Sequence, residues 1–149
     1  MMATNPPLSG IVLDELQFLG ILGIPLGTGW SRVVVEALGY PDSVVKISYR
    51  PGNLANWTEW HLWQQIRSEA NLAPLFGECR AISVTGKYLL MERLDSLTGT
   101  PTPTRVAPPW LTDRKPNAFG ANAAGQVKIR DYAAVNLGSA LAIPPLLTL

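Results

Sequence analysis

Two glycines one residue apart, Gly27 and Gly29, are the first residues whose types and spacing could do chemistry. Glycine has no Cβ, so a phosphate can approach the backbone N–H groups of such a loop without a clash. The apolar segment 44–47 that follows contains one cation, Lys46, which could neutralise phosphate charge. Taken singly, a Gly-x-Gly pair is more often a turn, and a lysine in mid-strand more often faces solvent. A function can therefore be inferred only from the order and spacing of several such residues along the chain.

An acidic residue, Glu59, lies in line with an apolar stripe in the one convincing helical segment, residues 53–70. Five residues of this segment fall on one face at offsets 0, 3, 4, 7 and 11, namely Glu59, Leu62, Trp63, Ile66 and Ala70. A buried carboxylate needs a partner, and Lys46 is the nearest candidate in sequence. Alternatively, Glu59 closes the start of the helix in a variant of the capping box with Asn56. The sequence leaves both interpretations open.

Composition excludes several classes of protein. With 149 residues, 47% apolar residues, 15% charged residues and a net charge of +1, we expect one domain without a nucleic-acid-binding surface. The single cysteine, Cys79, and the single histidine, His61, exclude an intrachain disulfide and a Cys/His zinc site. The N-terminus lacks the features of a signal peptide, and the apolar tail, residues 137–149, is too short to span a bilayer. We therefore expect a soluble cytoplasmic protein that has no membrane partner.

The elements that must position these residues form an α+β pattern with a largely antiparallel sheet. The segment 11–26 begins with a possible helix and ends as an edge strand that tolerates Pro25. Further strands are predicted for residues 33–38, 44–49, 81–84, 87–92 and 127–132, the last after a turn at 123–125. The Thr/Pro-rich segment 95–110 is predicted to be a linker without regular structure.

The order and spacing of the whole set resemble the protein-kinase-like fold over residues 20–133. The matching segments are Gly27-x-Gly29-x-x-Arg32-x-Val34, Val44-Val45-Lys46, Glu59 on its helix, Leu90-Met91-Glu92, Asp113 to Asn117, and Lys128 to Ala133. The paired segments around Asp113 and Asp131 are the strongest part of the likeness.

The resemblance implies a site for ATP, and the position of each residue in the matching segments implies its role in that site. Gly27 and Gly29 would cover the nucleotide phosphates. Val34 would pack on the adenine, Met91 would lie at the back of its pocket, and the backbone from Glu92 to Leu94 would form the hinge.

The resemblance also implies the groups that act on the phosphates. Lys46 would contact the α- and β-phosphates, held by an ion pair to Glu59. Asp113 would orient the acceptor hydroxyl and accept its proton. Asp131 would bind the Mg²⁺ that bridges the phosphates. Asn117 would supply a second metal contact if the loop is shorter by one residue than in the family; otherwise that contact is missing.

The chain departs from the family at several positions. Arg32 replaces the third glycine of the loop and makes it bulkier, and Ala118 stands where the family has its metal-binding asparagine, with Asn117 one residue early. Only 18 residues separate Leu94 from Asp113, too few and too proline-rich for the usual helices of the lower lobe. We therefore expect a single miniature kinase-like domain similar to some encoded by bacteriophages. Residues 11–94 would resemble the N-lobe, 95–110 would be the linker, and 111–149 would be a minimal C-lobe of catalytic-loop hairpins.

Three functions follow as alternatives. The chain could be an ATP-dependent phosphotransferase in the cytoplasm, that of the host if it is viral. It could be a pseudokinase that binds a protein partner, or an interaction protein whose glycines and aspartates are only turns. Trp57 and Trp60 lie off the Glu59 stripe, and they either pack elsewhere or meet a partner. The tail 140–149 could be where a partner completes the lower lobe, or it could fold back on the chain's own core.

Overall fold

The computed structural model describes residues 10–29, 31–50, 52–99, 102–134 and 147–149. Its main element is a six-stranded sheet with the strand order β1-β5-β6-β4-β3-β2. The strands are β1 Ile11–Leu13, β2 Leu22–Thr28, β3 Arg32–Ala37, β4 Ser43–Ser48, β5 Cys79–Ser83 and β6 Tyr88–Glu92. Only the pair formed by β1 and β5 is parallel in this sheet. The predicted α+β class with a largely antiparallel sheet is confirmed.

The short hairpins of this sheet follow from its glycines and its β-branched residues. Gly39, with φ 82°, turns the chain between β3 and β4, and Gly86, with φ 78°, turns it between β5 and β6. Valine and isoleucine dominate β3 and β4, where Val34 lies opposite Lys46. β2, which contains Pro25, is an edge strand as predicted.

Two helices lie among the described residues, α1 Glu15–Leu19 and α2 Ala55–Ile66. Helix α2 is shorter than the predicted segment 53–70, and Ala70 is exposed beyond its end. Neither helix is long and apolar enough to cross a membrane, a finding that concerns the described residues alone.

The start of helix α2 rules out a cap made by Asn56. The helix begins after Asn53, whose side-chain oxygen accepts a hydrogen bond from the Ala55 N–H at 3.0 Å. Glu59 is therefore not part of a capping box with Asn56, and its side chain is fully buried. The interpretation of Glu59 as a buried carboxylate is the one that the structure supports.

The core lies on both faces of the sheet, because successive strand residues point to opposite sides. On one face, Phe18 of α1 stacks on Tyr88 with the ring centroids 5.4 Å apart. On the other face, helix α2 packs with residues from the C-terminal third of the chain, including Trp110 and Tyr132. Trp60 is buried in this second cluster, so it packs within the protein.

Trp57 also has partners within the chain. Its indole N–H donates to the Thr85 carbonyl at 3.2 Å, and its ring stacks on His61. A Cβ added at Gly86 would lie 2.1 Å from the indole nitrogen, so the glycine is required for this contact. These contacts weaken the argument that the tryptophans form a binding surface.

The segment 95–110, predicted to be a linker or extended loop without elements, contains two short strands. They are β7 Asp95–Ser96 and β8 Val106–Ala107, which pair with strands far away in sequence. β7 joins β9 Phe119–Ala121 and β10 Val127–Ile129 in a three-stranded sheet. β10 is shorter than the predicted strand 127–132.

The last residues of the chain pair with β8. β11 Leu147–Thr148 lies antiparallel to β8, and Leu149 packs against the core. This confirms, for residues 147–149, the prediction that the tail folds back. The rest of the predicted tail segment, residues 140–146, lies outside the described residues.

Candidate functional site

A cavity of about 710 Å³ lies between the main sheet and the C-terminal third of the chain. Its volume falls within the range of about 300–1,000 Å³ that small-molecule sites occupy. All of the sequence-predicted site residues except Glu59 line it, namely Gly27, Gly29, Val34, Lys46, Met91, Glu92, Asp113, Asn117 and Asp131. Residues that are up to 104 positions apart in the sequence therefore meet at one site.

Lys46 lies at the inner end of the cavity, and each of its three ammonium protons has an acceptor. Its Nζ lies 3.0 Å from Glu59 Oε1 and 2.9 Å from Asp131 Oδ1, and it also donates to the Arg130 carbonyl. The side chain is only 5% exposed. These three bonds fix the position of the ammonium between helix α2 and the segment that follows β10.

Glu59 has no exposed side-chain surface and four donor contacts. Besides Lys46, it accepts hydrogen bonds from Arg32 at 2.5 and 3.3 Å and from the Tyr132 N–H at 2.7 Å. Burial by itself would raise the pKa of Glu59, but the charges of Arg32 and Lys46 and these hydrogen bonds lower it to about 2. The carboxylate therefore stays ionised and can orient both cations.

Arg32 has a role that the sequence analysis missed. It was expected only to enlarge the glycine loop, but it begins β3 and turns its guanidinium toward Glu59, with Nη2 3.6 Å from Asp131 Oδ1. Burial opposes its charge, but Glu59 and Asp131 outweigh this and raise the pKa of Arg32. The sequence contained one indication of this role. Arg32 is two residues before Val34, so in a strand its side chain points to the same face as that of Val34.

Asn56 is a second residue that sequence reasoning missed. Its amide nitrogen lies 3.0 Å from the carbonyl oxygens of Lys46, Gly86 and Lys87, and its amide oxygen accepts from Arg32 at 3.1 Å. It therefore ties helix α2 to the strand that carries Lys46. Its position three residues before Glu59, on the same helix face, was the available signal.

The glycines of the loop leave open space beside the cavity. A Cβ added at Gly27 would meet no atom within 4 Å, and one at Gly29 would meet only the Arg32 carbonyl oxygen at 3.7 Å. Packing within the protein therefore does not require glycine at either position. The Gly29 N–H donates to the Arg32 carbonyl at 2.8 Å, which closes the turn.

The apolar wall of the cavity includes Val34, Val44 and the buried Met91. Beyond Met91, the segment predicted as a hinge is hydrogen-bonded inside the protein. The Glu92 N–H donates to the Glu78 carbonyl at 2.8 Å, and the Leu94 carbonyl accepts from Arg130 at 3.0 Å. This end of the cavity therefore has an apolar wall, and the Glu92 N–H and the Leu94 carbonyl beside it already form hydrogen bonds within the protein.

Asp113 and Asn117 line the same cavity but lie outside the cluster around Lys46. Asp113 Oδ1 accepts from the Lys115 N–H at 3.3 Å, a bond within its own loop. Asn117 is exposed, and its backbone carbonyl accepts from Arg130 Nε at 3.0 Å. Their positions are thus set by a surface loop rather than by buried ion pairs.

The residues present fit a metal ion only in part. Across the described ranges, no group of three or more His, Cys, Asp or Glu side chains is placed to hold a metal. Mg²⁺ is commonly bound through one or two carboxylates together with substrate phosphates. Asp131, with 42% of its side chain exposed, fits a metal shared with a phosphate ligand, but it does not fit a cage made by the protein alone.

No family model matches this chain, and no curated protein matches it.

Proposed function

We propose that the protein is a kinase-like ATP- and Mg²⁺-binding protein, with residues 11–94 as an N-lobe and residues 111–149 as a minimal C-lobe. The observation that carries this proposal is the placement of Lys46, which contacts Glu59 and Asp131 at one end of the 710 Å³ cavity. A lysine aimed by a buried carboxylate suits the binding of phosphate charge.

The nucleotide fits the cavity with its base on the apolar wall and its phosphates at the charged end. Val34 and Met91 contact the base, while Lys46 contacts the phosphates. The open space beside Gly27 lets the phosphates approach the loop backbone. This arrangement follows from the distribution of apolar and charged residues around the cavity.

The reaction that these groups suit is transfer of the γ-phosphate to a hydroxyl acceptor. Asp113 accepts the proton of the acceptor hydroxyl as its oxygen bonds to phosphorus and ADP leaves. Lys46 holds the phosphates in position for this displacement. Asp131 would hold Mg²⁺, which neutralises phosphate charge when it is bound, and Asn117, on the loop that carries Asp113, would supply a second contact.

A second candidate function is that of a pseudokinase, a module that binds a protein partner, with or without nucleotide, and does not transfer phosphate. The exposed loop around Asp113 and the buried Ala118 at the expected metal-binding position favour it. In this case the partner completes the lower lobe. Both candidates place the protein in the cytoplasm, that of the host if the chain comes from a bacteriophage.

Nucleotide binding is tested by thermal melting with and without ATP and Mg²⁺. At a ligand concentration of 100 times Kd, binding should add about 2.7 kcal/mol to the free energy of unfolding. Lys46→Met should abolish the shift, whereas Lys87→Met, which removes an exposed lysine outside the cavity, should retain it. No shift of the wild-type protein at millimolar ATP would refute the proposal.

The two candidate functions are separated by phosphate release. An active enzyme should convert ATP to ADP in the presence of a hydroxyl acceptor, and Asp113→Ala should lower this rate by about 10²–10⁴-fold, the usual contribution of a general base. A thermal shift without ADP formation would assign the pseudokinase function.

A further inference from the structure

Four charged side chains meet at the inner end of the cavity, the cations Arg32 and Lys46 and the carboxylates Glu59 and Asp131. Lys46 contacts both carboxylates, at 3.0 and 2.9 Å, and Arg32 contacts Glu59 at 2.5 Å and lies 3.6 Å from Asp131. The four formal charges cancel. The cluster therefore carries no net charge as long as Asp131 is part of it.

The two carboxylates differ in how firmly they are held. Glu59 is fully buried and accepts four hydrogen bonds. If its side chain moved away, Lys46 and Arg32 would remain buried without this carboxylate as a partner, which is strongly unfavourable. Asp131 is 42% exposed, and its distance to Arg32 exceeds that of a hydrogen bond. Asp131 is the anion of this cluster that can exchange with another.

We infer that the place of the Asp131 carboxylate between Lys46 and Arg32 is an anion subsite, which a phosphate group of the ligand takes when Asp131 turns away. Arg32 is then a second phosphate-binding cation beside Lys46, and the site binds a polyphosphate in the absence of a metal ion as well as with Mg²⁺. This inference rests on the proposed function for its ligand, ATP, but not for the existence of the subsite.

The charge balance supports this subsite. Once Asp131 turns away, Arg32 and Lys46 face the single charge of Glu59, which leaves one positive charge for the incoming anion. Arg32 is already oriented by its two bonds to Glu59 and its bond to Asn56. A guanidinium held in this way presents a planar set of donors that suits phosphate oxygens.

The scarcity of metal ligands among the described residues also supports this subsite. Ala118 is buried and offers no ligand at the position where kinase-like proteins have their metal-binding asparagine. Within the described residues there is also no cluster of three acidic or other metal-ligating side chains. Charge on a bound polyphosphate can therefore be compensated by the two cations that are present.

The test measures binding of inorganic tripolyphosphate and of ATP by calorimetry in EDTA, and of ATP with Mg²⁺. Wild-type protein is expected to bind both metal-free ligands. Asp131→Asn should bind tripolyphosphate about 5-fold more tightly, because it removes a competing like charge. Arg32→Met should bind it about 10-fold more weakly, the effect of losing a hydrogen bond to a charged group.

Matched variants separate the subsite from general effects of charge and folding. Arg80→Met removes an arginine that lies outside the cavity, and it should leave tripolyphosphate binding unchanged. Arg32→Lys keeps the charge and should bind between the wild type and Arg32→Met. If Arg32→Met fails to fold, Asp131→Asn decides alone, since Asp131 is partly exposed and its charge is not needed to keep Glu59 paired.

The binding results distinguish failure of the subsite from failure of the proposed function. Binding of ATP only with Mg²⁺, or Asp131→Asn binding tripolyphosphate no more tightly than the wild type, would overturn the subsite and leave the proposed function standing. Arg32-dependent binding of tripolyphosphate without binding of ATP would support the subsite and overturn the proposed function. Binding of no ligand under any condition would overturn both.

Discussion

The two sides of the cavity are built in different ways. On the side of helix α2, Glu59 is buried and accepts four hydrogen bonds, which join β3, β4, the helix and the segment after β10. On the opposite side, Asp113 lies in a loop and accepts one hydrogen bond, at 3.3 Å, from a neighbour two residues away. Both carboxylates belong to the proposed site, but only the first is fixed by the core.

This difference separates binding from reaction. A phosphate-binding group must be in place before the ligand arrives, and the buried bonds of Lys46 provide that. The position of Asp113 is set by a surface loop, in which its carboxylate accepts one hydrogen bond from a neighbour two residues away. The structure therefore fixes the group proposed to bind phosphate more firmly than the group proposed to accept the proton.

The largest expected effect comes from removing the buried carboxylate. Glu59→Ala should lower the free energy of unfolding by about 3–5 kcal/mol, because Lys46 and Arg32 remain buried without their shared partner. Asp113→Ala should change it by less than about 0.5 kcal/mol. Urea unfolding monitored by tryptophan fluorescence measures both. Equal losses in the two variants would contradict the comparison.

The pH dependence of the free energy of unfolding should also distinguish Glu59 from Asp113. The pKa of Glu59 is lowered from 4.5 to about 2 in the folded protein, so its stabilising effect is complete above pH 4.5 and is lost as the pH falls toward 2. The difference corresponds to about 3 kcal/mol. Urea unfolding between pH 6 and 2.5 should show this loss in the wild type and in Asp113→Asn. In Glu59→Gln the loss should be absent, and a curve parallel to that of the wild type would refute the assignment.

Two hydroxyl deletions compare the anchoring of the segments that carry the aspartates. The buried Tyr132 hydroxyl donates to the Gly77 carbonyl at 2.9 Å and lies 3.0 Å from Cys79 Sγ. Tyr132→Phe should cost about 1–3 kcal/mol, because it leaves a buried carbonyl unpaired. Thr112→Val removes an exposed hydroxyl that donates to the Ala134 carbonyl at 2.7 Å, but this carbonyl keeps its bond from the Thr112 N–H, so the cost should be at most about 1 kcal/mol. Thermal melting compares the two, and a reversed order would mean that the Asp113 loop is the better anchored segment.

The smallest expected effect on stability comes from Gly27→Ala. The added methyl group meets no atom within 4 Å, so the free energy of unfolding should change by less than about 0.5 kcal/mol. Binding of ATP should nevertheless weaken, because the methyl group occupies space beside the loop backbone. A variant that binds ATP like the wild type would show that the ligand does not approach this loop.

Local patterns predicted much of the main sheet but not the pairings between strands that lie far apart in the sequence. The alternation in β3 and β4 and the turn glycines can be recognised in the sequence because they act between neighbours. The pairing of β7 with β9 and of β8 with β11 could not be recognised, because strands of two residues have no periodicity and their partners lie far along the chain. The parallel pairing of β1 with β5 is hidden for the same reason.

The candidate site shows the same limit. Lys46 and Glu59 could be paired from one strand and one helix face. The role of Arg32 depends on which face of β3 meets helix α2, and that is decided by tertiary packing. The contacts of Asn56 with three carbonyl groups from two segments likewise exist only in the assembled sheet.

The hydrogen bond from the Tyr132 N–H to Glu59 spans 73 residues and has a consequence for synthesis of the protein. At translation rates of about 5–20 residues per second, Tyr132 is added to the chain about 4–15 s after Glu59. During that interval the N-terminal strands and helix α2 carry a carboxylate that lacks one of its partners, while Lys46 lacks Arg130 and Asp131. A nascent chain shorter than 132 residues is therefore expected to be a target for proteases until Tyr132 and Asp131 join the charge cluster.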